Sequence, residues 1–177
     1  MELGLKNRIL LLVSITSLCI VSDQVTKVWA QRELAYEYSP GKFFPQHEIT
    51  VIPKVLNLIY KENAAAAFSL TSSVPEWFRK PFLITVSIIA GLFFLIWYFR
   101  LKNPHWFMLT SFSLIIAGAV GNLIDRVRLG YVIDFLDVYA GFLGYSGLHW
   151  PTFNIADSCI VVGAFGILLE SLYSKRA

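Results

Sequence analysis

Charged residues are scarce in this sequence. Lys, Arg, Asp and Glu make up 15% of its 177 residues, whereas soluble domains carry about 25%. Hydrophobic residues make up 56%, an excess that excludes a disordered chain and argues against a soluble globule. The net charge of +3 is small and scattered along the chain, which argues against nucleic-acid binding. The composition therefore predicts a single polytopic domain that lies in a lipid bilayer.

Residues suited to metal or redox chemistry are also few. The two cysteines, Cys19 and Cys159, each lie within an apolar run, which predicts free buried thiols rather than a disulfide. His47, His105 and His149 stand alone, without the spacing of metal ligands. The sequence has no glycine-rich phosphate loop and no Ser-His or Cys-His pair at a shared depth. We therefore expect neither a metal nor a cofactor.

Four apolar segments approach the roughly 20 residues that a helix needs to cross a bilayer. The predicted spans are residues 9–29, 82–99, 106–125 and 153–170. All five tryptophans fall at or just beyond the ends of these spans, as in the aromatic belts of membrane proteins. The first span could instead be a cleaved signal peptide, but no small-residue cleavage site follows it. The sequence predicts an all-α integral membrane fold with four transmembrane helices.

Basic residues in short flanking segments predict the orientation of the chain. They precede the first span, connect the second to the third and end the chain: Lys6 and Arg8, Arg100 and Lys102, Lys175 and Arg176. We expect these three segments, and with them both termini, on the cytoplasmic side. The insertion 30–81 and the loop 126–152 would then lie outside.

The outer insertion, residues 30–81, is predicted to hold a small β platform. Residues 49–52 and 55–60 are rich in β-branched and apolar side chains and are separated by Pro53-Lys54, which is typical of two short strands. We expect this platform on the outer face of the membrane.

Three aspartates lie within or at the ends of the predicted spans, where ionisable side chains are expensive and mark functional sites. Because neighbouring spans are antiparallel, Asp23, Asp125 and Asp157 are expected to converge near the outer leaflet boundary. Asn122 and Asn154 each precede one of these acids by three residues, so the amide and the carboxylate share a helix face. Capping of the span ends is the alternative explanation for such a tetrad.

A fourth acidic residue, Asp134, stands in the apolar segment 132–136. This setting disfavours the charged form of a carboxyl group, and Gly130 permits a turn that would bring the segment back toward the membrane. Asp125 differs because Arg126 is adjacent to it, and an ion pair would keep it charged. A carboxyl group that holds a proton beside one that does not is the arrangement that a proton-shuttling pair requires.

Five short motifs follow one another along the chain. They are Asp23–Lys27, Asn63–Phe68, Gly121–Arg126, Val132–Phe135 and Phe153–Asp157. Each is weak alone, but the five in this order on a four-span chain resemble the lipoprotein signal peptidases, or signal peptidase II, of bacteria. The resemblance covers nearly the whole chain.

The resemblance implies a membrane-embedded aspartic endopeptidase of the bacterial inner membrane. Such enzymes remove signal peptides from diacylglyceryl-modified prolipoproteins by cleaving before the lipidated cysteine. The family fold has four helices, an outer, periplasmic β cradle and a short outer half-helix, with the active site toward the outer leaflet. We expect a monomer in contact with membrane lipids, and no cofactor.

By the same resemblance, Asp134 and Asp157 form the catalytic pair that activates water. The positions that hold the pocket together or position the substrate are Asp23, Lys27, Asn63, Asn122, Asp125, Arg126 and Asn154. Two departures from the family pattern stand out: Ala65 replaces the usual Gly, and the stretch 137–150 is longer than usual.

Three alternatives stay open at this point. Asp125 is a rival to Asp134 as the partner of Asp157. A proton- or ion-coupled membrane carrier would also use intramembrane carboxylates, although the chain lacks repeat halves. A non-catalytic assembly factor would require purely structural roles for these Asp and Asn residues.

Overall fold

Four long α-helices account for most of the computed structural model, which describes residues 4–35, 48–64, 75–141 and 149–174. They are α1 (Leu5–Glu33), α2 (Glu76–Arg100), α3 (Trp106–Arg128) and α4 (Ile155–Ser174). Each is long and apolar enough to cross a membrane. The prediction of four membrane-spanning helices is therefore confirmed.

The helices differ from the predicted spans at their ends. Helix α2 begins at Glu76, before the predicted start at residue 82, and it runs through Pro81. The carbonyl of Pro75 starts this helix by accepting the N–H groups of Phe78 and Arg79, and Pro81 removes only one backbone donor from it. Helix α4 begins later than predicted, because the carbonyl of Phe153 is taken up by backbone N–H groups of the segment 132–138.

A three-stranded antiparallel sheet lies between these helices in sequence, in the order β1-β2-β3. Its strands are β1 (Ile49–Ile52), β2 (Leu56–Asn63) and β3 (Val132–Val138). The β1–β2 hairpin turns at Lys54, which has a φ of 67°. The predicted platform of two strands is thus confirmed. The third strand was not predicted, because β3 is buried on both faces over most of its length and lacks the polar–apolar alternation of a half-exposed strand.

The described residues form two compact units. The first draws on residues 4–23, 84–124 and 155–174, and the second on residues 24–35, 48–64, 75–83, 125–141 and 149–154. The first unit has an apolar core formed by Leu12, Tyr98, Leu109, Phe112 and Ile116. The second unit contains the whole sheet. The expectation of a single polytopic domain stays a prediction.

Within the first unit, glycines allow α3 and α4 to approach closely. A Cβ atom on Gly118 would collide with the carbonyl oxygen of Ala156 and lie 2.6 Å from Cγ1 of Ile160. A Cβ atom on Gly163 would lie 2.5 Å from the carbonyl oxygen of Ser111. Small residues at such positions are typical of helix pairs in membranes.

The distribution of burial fits helices that meet lipid rather than water. Within the apolar 18-residue stretch of each helix, 56% of α3 is buried, against 11–17% in the other three helices. Many large apolar side chains are therefore exposed, among them Leu10, Leu18, Ile89, Leu92, Phe93, Val161 and Phe165. The polar side chains of Ser111, Ser113 and Asn122 are buried. Exposed apolar side chains and buried polar side chains, the reverse of a water-soluble protein, are expected where the solvent is hydrocarbon.

Several predictions concern residues outside the described ranges. They include Ala65, half of the stretch 137–150, His47 and the terminal pair Lys175 and Arg176. The described ranges hold no α-helix besides the four given above, and the outer half-helix stays a prediction.

Candidate active site

Asp134 is held from two sides by asparagine amides. It lies on β3 with 1% of its surface exposed, and both of its carboxylate oxygens accept hydrogen bonds. Nδ2 of Asn63 donates to Oδ2 over 2.9 Å, and Nδ2 of Asn154 donates to Oδ1 over 2.8 Å. The strand register explains the first contact, because Lys61 lies opposite Asp134 and Asn63 lies on the same face of β2, two residues further on.

Asp125 lies at the centre of a second buried cluster in the same unit. Its Oδ2 atom is 2.8 Å from Nζ of Lys27, and both side chains are almost fully buried. Its Oδ1 atom accepts a hydrogen bond of 3.0 Å from Nε2 of Gln24. The sequence analysis assigned the balancing charge to the neighbouring Arg126, which is half-buried. The structure gives this role to Lys27.

Asp23 and Asp157 belong to the first unit. Nδ2 of Asn122 donates to Oδ1 of Asp157 over 2.7 Å. Oδ1 of Asp23 accepts a hydrogen bond of 2.9 Å from the backbone N–H of Ala156, in the first turn of α4. Asp23 therefore binds the first turn of α4, the same turn that carries Asp157. The sequence predicted these two residues at a common depth.

The predicted site residues therefore fall into two sets, one in each unit. The second unit contains Asp134, Asn63, Asn154, Asp125, Lys27 and Arg126, and the first contains Asp157, Asn122 and Asp23. The two proposed catalytic carboxylates belong to different sets, so their pairing stays a prediction. Among the described residues, no group of three or more His, Cys, Asp or Glu side chains is arranged to hold a metal ion.

His149, which lacks metal-ligand spacing in the sequence, contacts a carboxylate and an aromatic ring in the structure. Nδ1 of His149 lies 2.8 and 2.9 Å from the two carboxylate oxygens of Asp137, and its ring stacks on Tyr139 at a centroid distance of 5.1 Å. An isolated bridge pairs Tyr139 with His149. Asp137 and His149 are twelve positions apart in the chain, and residue spacing does not reveal their contact.

A tyrosine pair on the sheet was also missed. The buried hydroxyl of Tyr60 donates to Oε1 of Glu62 over 3.1 Å and lies 3.5 Å from the hydroxyl of Tyr131. Burial raises the pKa of Tyr60 well above its ordinary value, and the neighbouring Tyr131 and Glu62 raise it further. Burial likewise raises the pKa of Tyr131. Both phenols are therefore neutral at physiological pH.

Together, these features define a class of protein. Helices long enough to span a membrane, together with strand β3, carry carboxylates that are buried or half-buried. Each carboxylate is oriented by an amide, an ammonium or a backbone N–H group. Ionisable groups of this kind are retained in membranes for function. The fold and the site are those of an integral membrane protein with a polar reaction or transport site.

Comparison with known proteins identifies the family. The sequence profile described as signal peptidase (SPase) II matches residues 15–173, and the chain belongs to the signal peptidase II family. It is therefore a peptidase, and its four apolar helices fit a bacterial inner membrane protein.

Relatives and solved structures agree with this assignment. The chain is 40% identical to the lipoprotein signal peptidase of Geobacter metallireducens over 162 residues, which cover 92% of this chain and 90% of that protein. It is 33% identical to the lipoprotein signal peptidase of Syntrophus aciditrophicus over 172 residues, 97% of this chain and 98% of that one. A solved bacterial membrane enzyme superposes with a TM-score of 0.74 at 30% identity, covering 98% of this chain and 92% of its own. A second gives a TM-score of 0.71 at 30% identity, with 97% and 96% covered.

Proposed function

We propose that this chain is an aspartic endopeptidase that removes signal peptides from diacylglyceryl-modified prolipoproteins by cleaving before the lipidated cysteine. Its relatives carry the name lipoprotein signal peptidase, which supports a lipoprotein substrate. Asp134 and Asp157 are the proposed catalytic pair. The observation that carries the proposal is the buried carboxylate of Asp134, whose two oxygens each accept an amide N–H.

The contacts of the two carboxylates support this pairing. Asn122 donates to Asp157, as Asn63 and Asn154 donate to Asp134. An amide N–H orients a carboxyl group without transferring a proton to it. Asn154 also lies only three residues before Asp157 in the chain, so the residue that binds one carboxylate directly precedes the helix that carries the other.

The proposed mechanism is general acid–base hydrolysis by two carboxyl groups that share one proton, because two close carboxylates do not both ionise. The ionised carboxylate accepts a proton from a water molecule, whose oxygen attacks the scissile carbonyl carbon. The protonated carboxyl group donates its proton to the carbonyl oxygen. When the tetrahedral intermediate breaks down, the C–N bond cleaves. The carboxyl group that took its proton from water donates that proton to the leaving nitrogen, and the other carboxylate takes back the hydroxyl proton of the intermediate.

The location of the site suits a lipid-modified substrate. The basic residues before α1 and between α2 and α3 favour the cytoplasmic side for those segments, so the proposed site faces the outer, periplasmic leaflet and both termini are cytoplasmic. Acyl chains on the substrate cysteine stay in lipid while the peptide bond reaches water. The proposed enzyme is a monomer surrounded by membrane lipids.

Asp125 is less suited to catalysis than Asp134. Both of its carboxylate oxygens are already occupied: Oδ2 by the buried Lys27 and by the N–H of Ile133, and Oδ1 by Gln24. A structural role for Asp125 therefore fits its contacts better, and the carrier alternative has no support from a peptidase family.

The test is cleavage of a diacylglyceryl-modified prolipoprotein by the purified protein, followed by gel mobility and mass spectrometry of the released signal peptide. Asp134→Asn and Asp157→Asn should each lower kcat by at least about 10³-fold while the thermal midpoint in detergent stays near that of the wild type. Asp125→Asn should instead lower the thermal midpoint. A fully active Asp134→Asn variant would remove that residue from the mechanism.

A further inference from the structure

The peptide groups on either side of Ile133, directly before Asp134, are fixed by side chains from outside the sheet. The backbone N–H of Ile133 donates to Oδ2 of Asp125 over 3.3 Å. Its carbonyl oxygen accepts a hydrogen bond of 3.2 Å from Nδ2 of Asn154. The same Nδ2 atom donates to Oδ1 of Asp134. The position of the Asp134 carboxylate therefore depends on how Ile133 is held.

The contact between Ile133 and Asp125 is sensitive to the orientation of the carboxylate. At 3.3 Å it is slightly longer than the usual range for an N–H···O bond, so a small rotation of the Asp125 side chain breaks it. Lys27 binds the same Oδ2 atom, but an ammonium is a compact charge with rotatable donors and does not fix the plane of a carboxylate.

Gln24 supplies the missing constraint. Its Nε2 atom donates to the other oxygen, Oδ1 of Asp125, over 3.0 Å. With one oxygen held by Gln24 and the other by Lys27, the carboxylate of Asp125 has a defined plane, and Oδ2 is directed at the N–H of Ile133.

Arg128 determines which way the amide of Gln24 faces. Nη1 of Arg128 donates to Oε1 of Gln24 over 3.2 Å. Because a guanidinium only donates and a carboxylate only accepts hydrogen bonds, the amide oxygen faces Arg128 and the amide nitrogen faces Asp125. The Arg128 contact is exposed and adds little stability, so its effect is to select the amide orientation.

We propose that Gln24 is a positioning residue of the peptidase reaction: through Asp125 and the N–H of Ile133, it sets the position of the Asp134 carboxylate. The inference rests on the proposed function, in which Asp134 is catalytic. The proposed effect of Gln24 runs through Asp125 and not through direct contact with the substrate.

The first test compares Gln24→Leu with Gln31→Leu. Gln31 is an exposed glutamine of the same helix, so its replacement controls for loss of an amide from α1. Gln24→Leu should lower kcat about 10- to 100-fold with an unchanged KM, because displacing a catalytic group by a fraction of an ångström slows the chemical step. Gln31→Leu should match the wild type in kcat, KM and thermal midpoint. Gln24→Leu removes a donor to Oδ1 of the buried Asp125, so a small fall in its thermal midpoint is expected.

The second test follows the backbone directly. Hydrogen exchange of the peptide that covers residues 129–136 should be faster in Gln24→Leu and in Asp125→Asn than in the wild type. The double variant should exchange no faster than Asp125→Asn alone, since Gln24 acts only through Asp125. Arg128→Gln should show a smaller acceleration.

These outcomes separate the inference from the proposed function. A wild-type protein that fails to cleave the lipidated prolipoprotein overturns the proposed function. An active wild type with an equally active Gln24→Leu variant overturns the inference alone. A rise in KM in place of a loss of kcat in Gln24→Leu, or exchange effects that add in the double variant, also overturns it.

Discussion

The carboxylate of Asp23 accepts the backbone N–H of Ala156, so a side chain of α1 caps the first turn of α4. The N–H groups at a helix start have no partner within the helix, and a negative charge there is also stabilised by the helix dipole. Gly121 makes room for this contact, because a Cβ atom at that position would lie 2.8 Å from Oδ2 of Asp23. Asp23 therefore has a structural task in the first unit.

Loss of this cap should destabilise the protein. Asp23→Ala leaves the N–H of Ala156 without its acceptor and should lower the free energy of unfolding by about 0.5–2 kcal/mol. Asp23→Asn keeps an acceptor oxygen but loses the charge, and a smaller decrease is expected. Denaturant unfolding in detergent, followed by tryptophan fluorescence, measures both. If Asp23→Ala is as stable as the wild type, the capping role is wrong.

Close packing of α3 against α4 gives a second prediction, which uses one glycine as the control for another. Gly118→Ala places a methyl group against the carbonyl oxygen of Ala156, and backbone atoms move only at a cost of about 1–3 kcal/mol. Gly91 in α2 has no atom within 4 Å of a built Cβ, so Gly91→Ala should leave stability unchanged or raise it. Thermal midpoints of the two variants in the same detergent compare these effects. Equal shifts would argue against the close contact.

The helices and two strands could be predicted because their signals are local in the sequence. An apolar run of about 20 residues indicates a span in contact with lipid. Strand β1 is rich in β-branched residues, β2 begins with mostly apolar residues, and a turn separates the two. Strand β3 could not be predicted in this way. Its residues are buried on both faces, and it pairs with β2, which is distant in sequence.

The contacts of the site show a similar limit. Helical spacing grouped each asparagine with the acid three residues later, yet Asn122 donates to Asp157 and Asn154 donates to Asp134. Sequence motifs identified these residues as members of a site. Their partners depend on helix packing and strand register, which local spacing does not contain. The pairing of Lys27 with Asp125 was missed for the same reason.

The buried phenol of Tyr60 predicts how stability depends on alkaline pH. Burial raises the pKa of Tyr60 in the folded protein, whereas in the unfolded chain the pKa is about 10. The neutral phenol thus stabilises the fold fully below pH 10, and this contribution is lost as the pH rises from there toward the folded-state pKa, because only the unfolded chain releases the proton. Tyr60→Phe has no such proton to release.

The thermal midpoint should therefore fall less between pH 9 and pH 11.5 in Tyr60→Phe than in the wild type. At pH 8 the free energy of unfolding of Tyr60→Phe should be about 0.5–1.5 kcal/mol lower than that of the wild type, because the variant lacks the hydrogen bond to Glu62. Tyr173→Phe serves as the control, since that side chain is 70% exposed, and it should keep the wild-type slope. Parallel slopes for Tyr60→Phe and the wild type would mean that the Tyr60 hydroxyl reaches solvent in the folded protein.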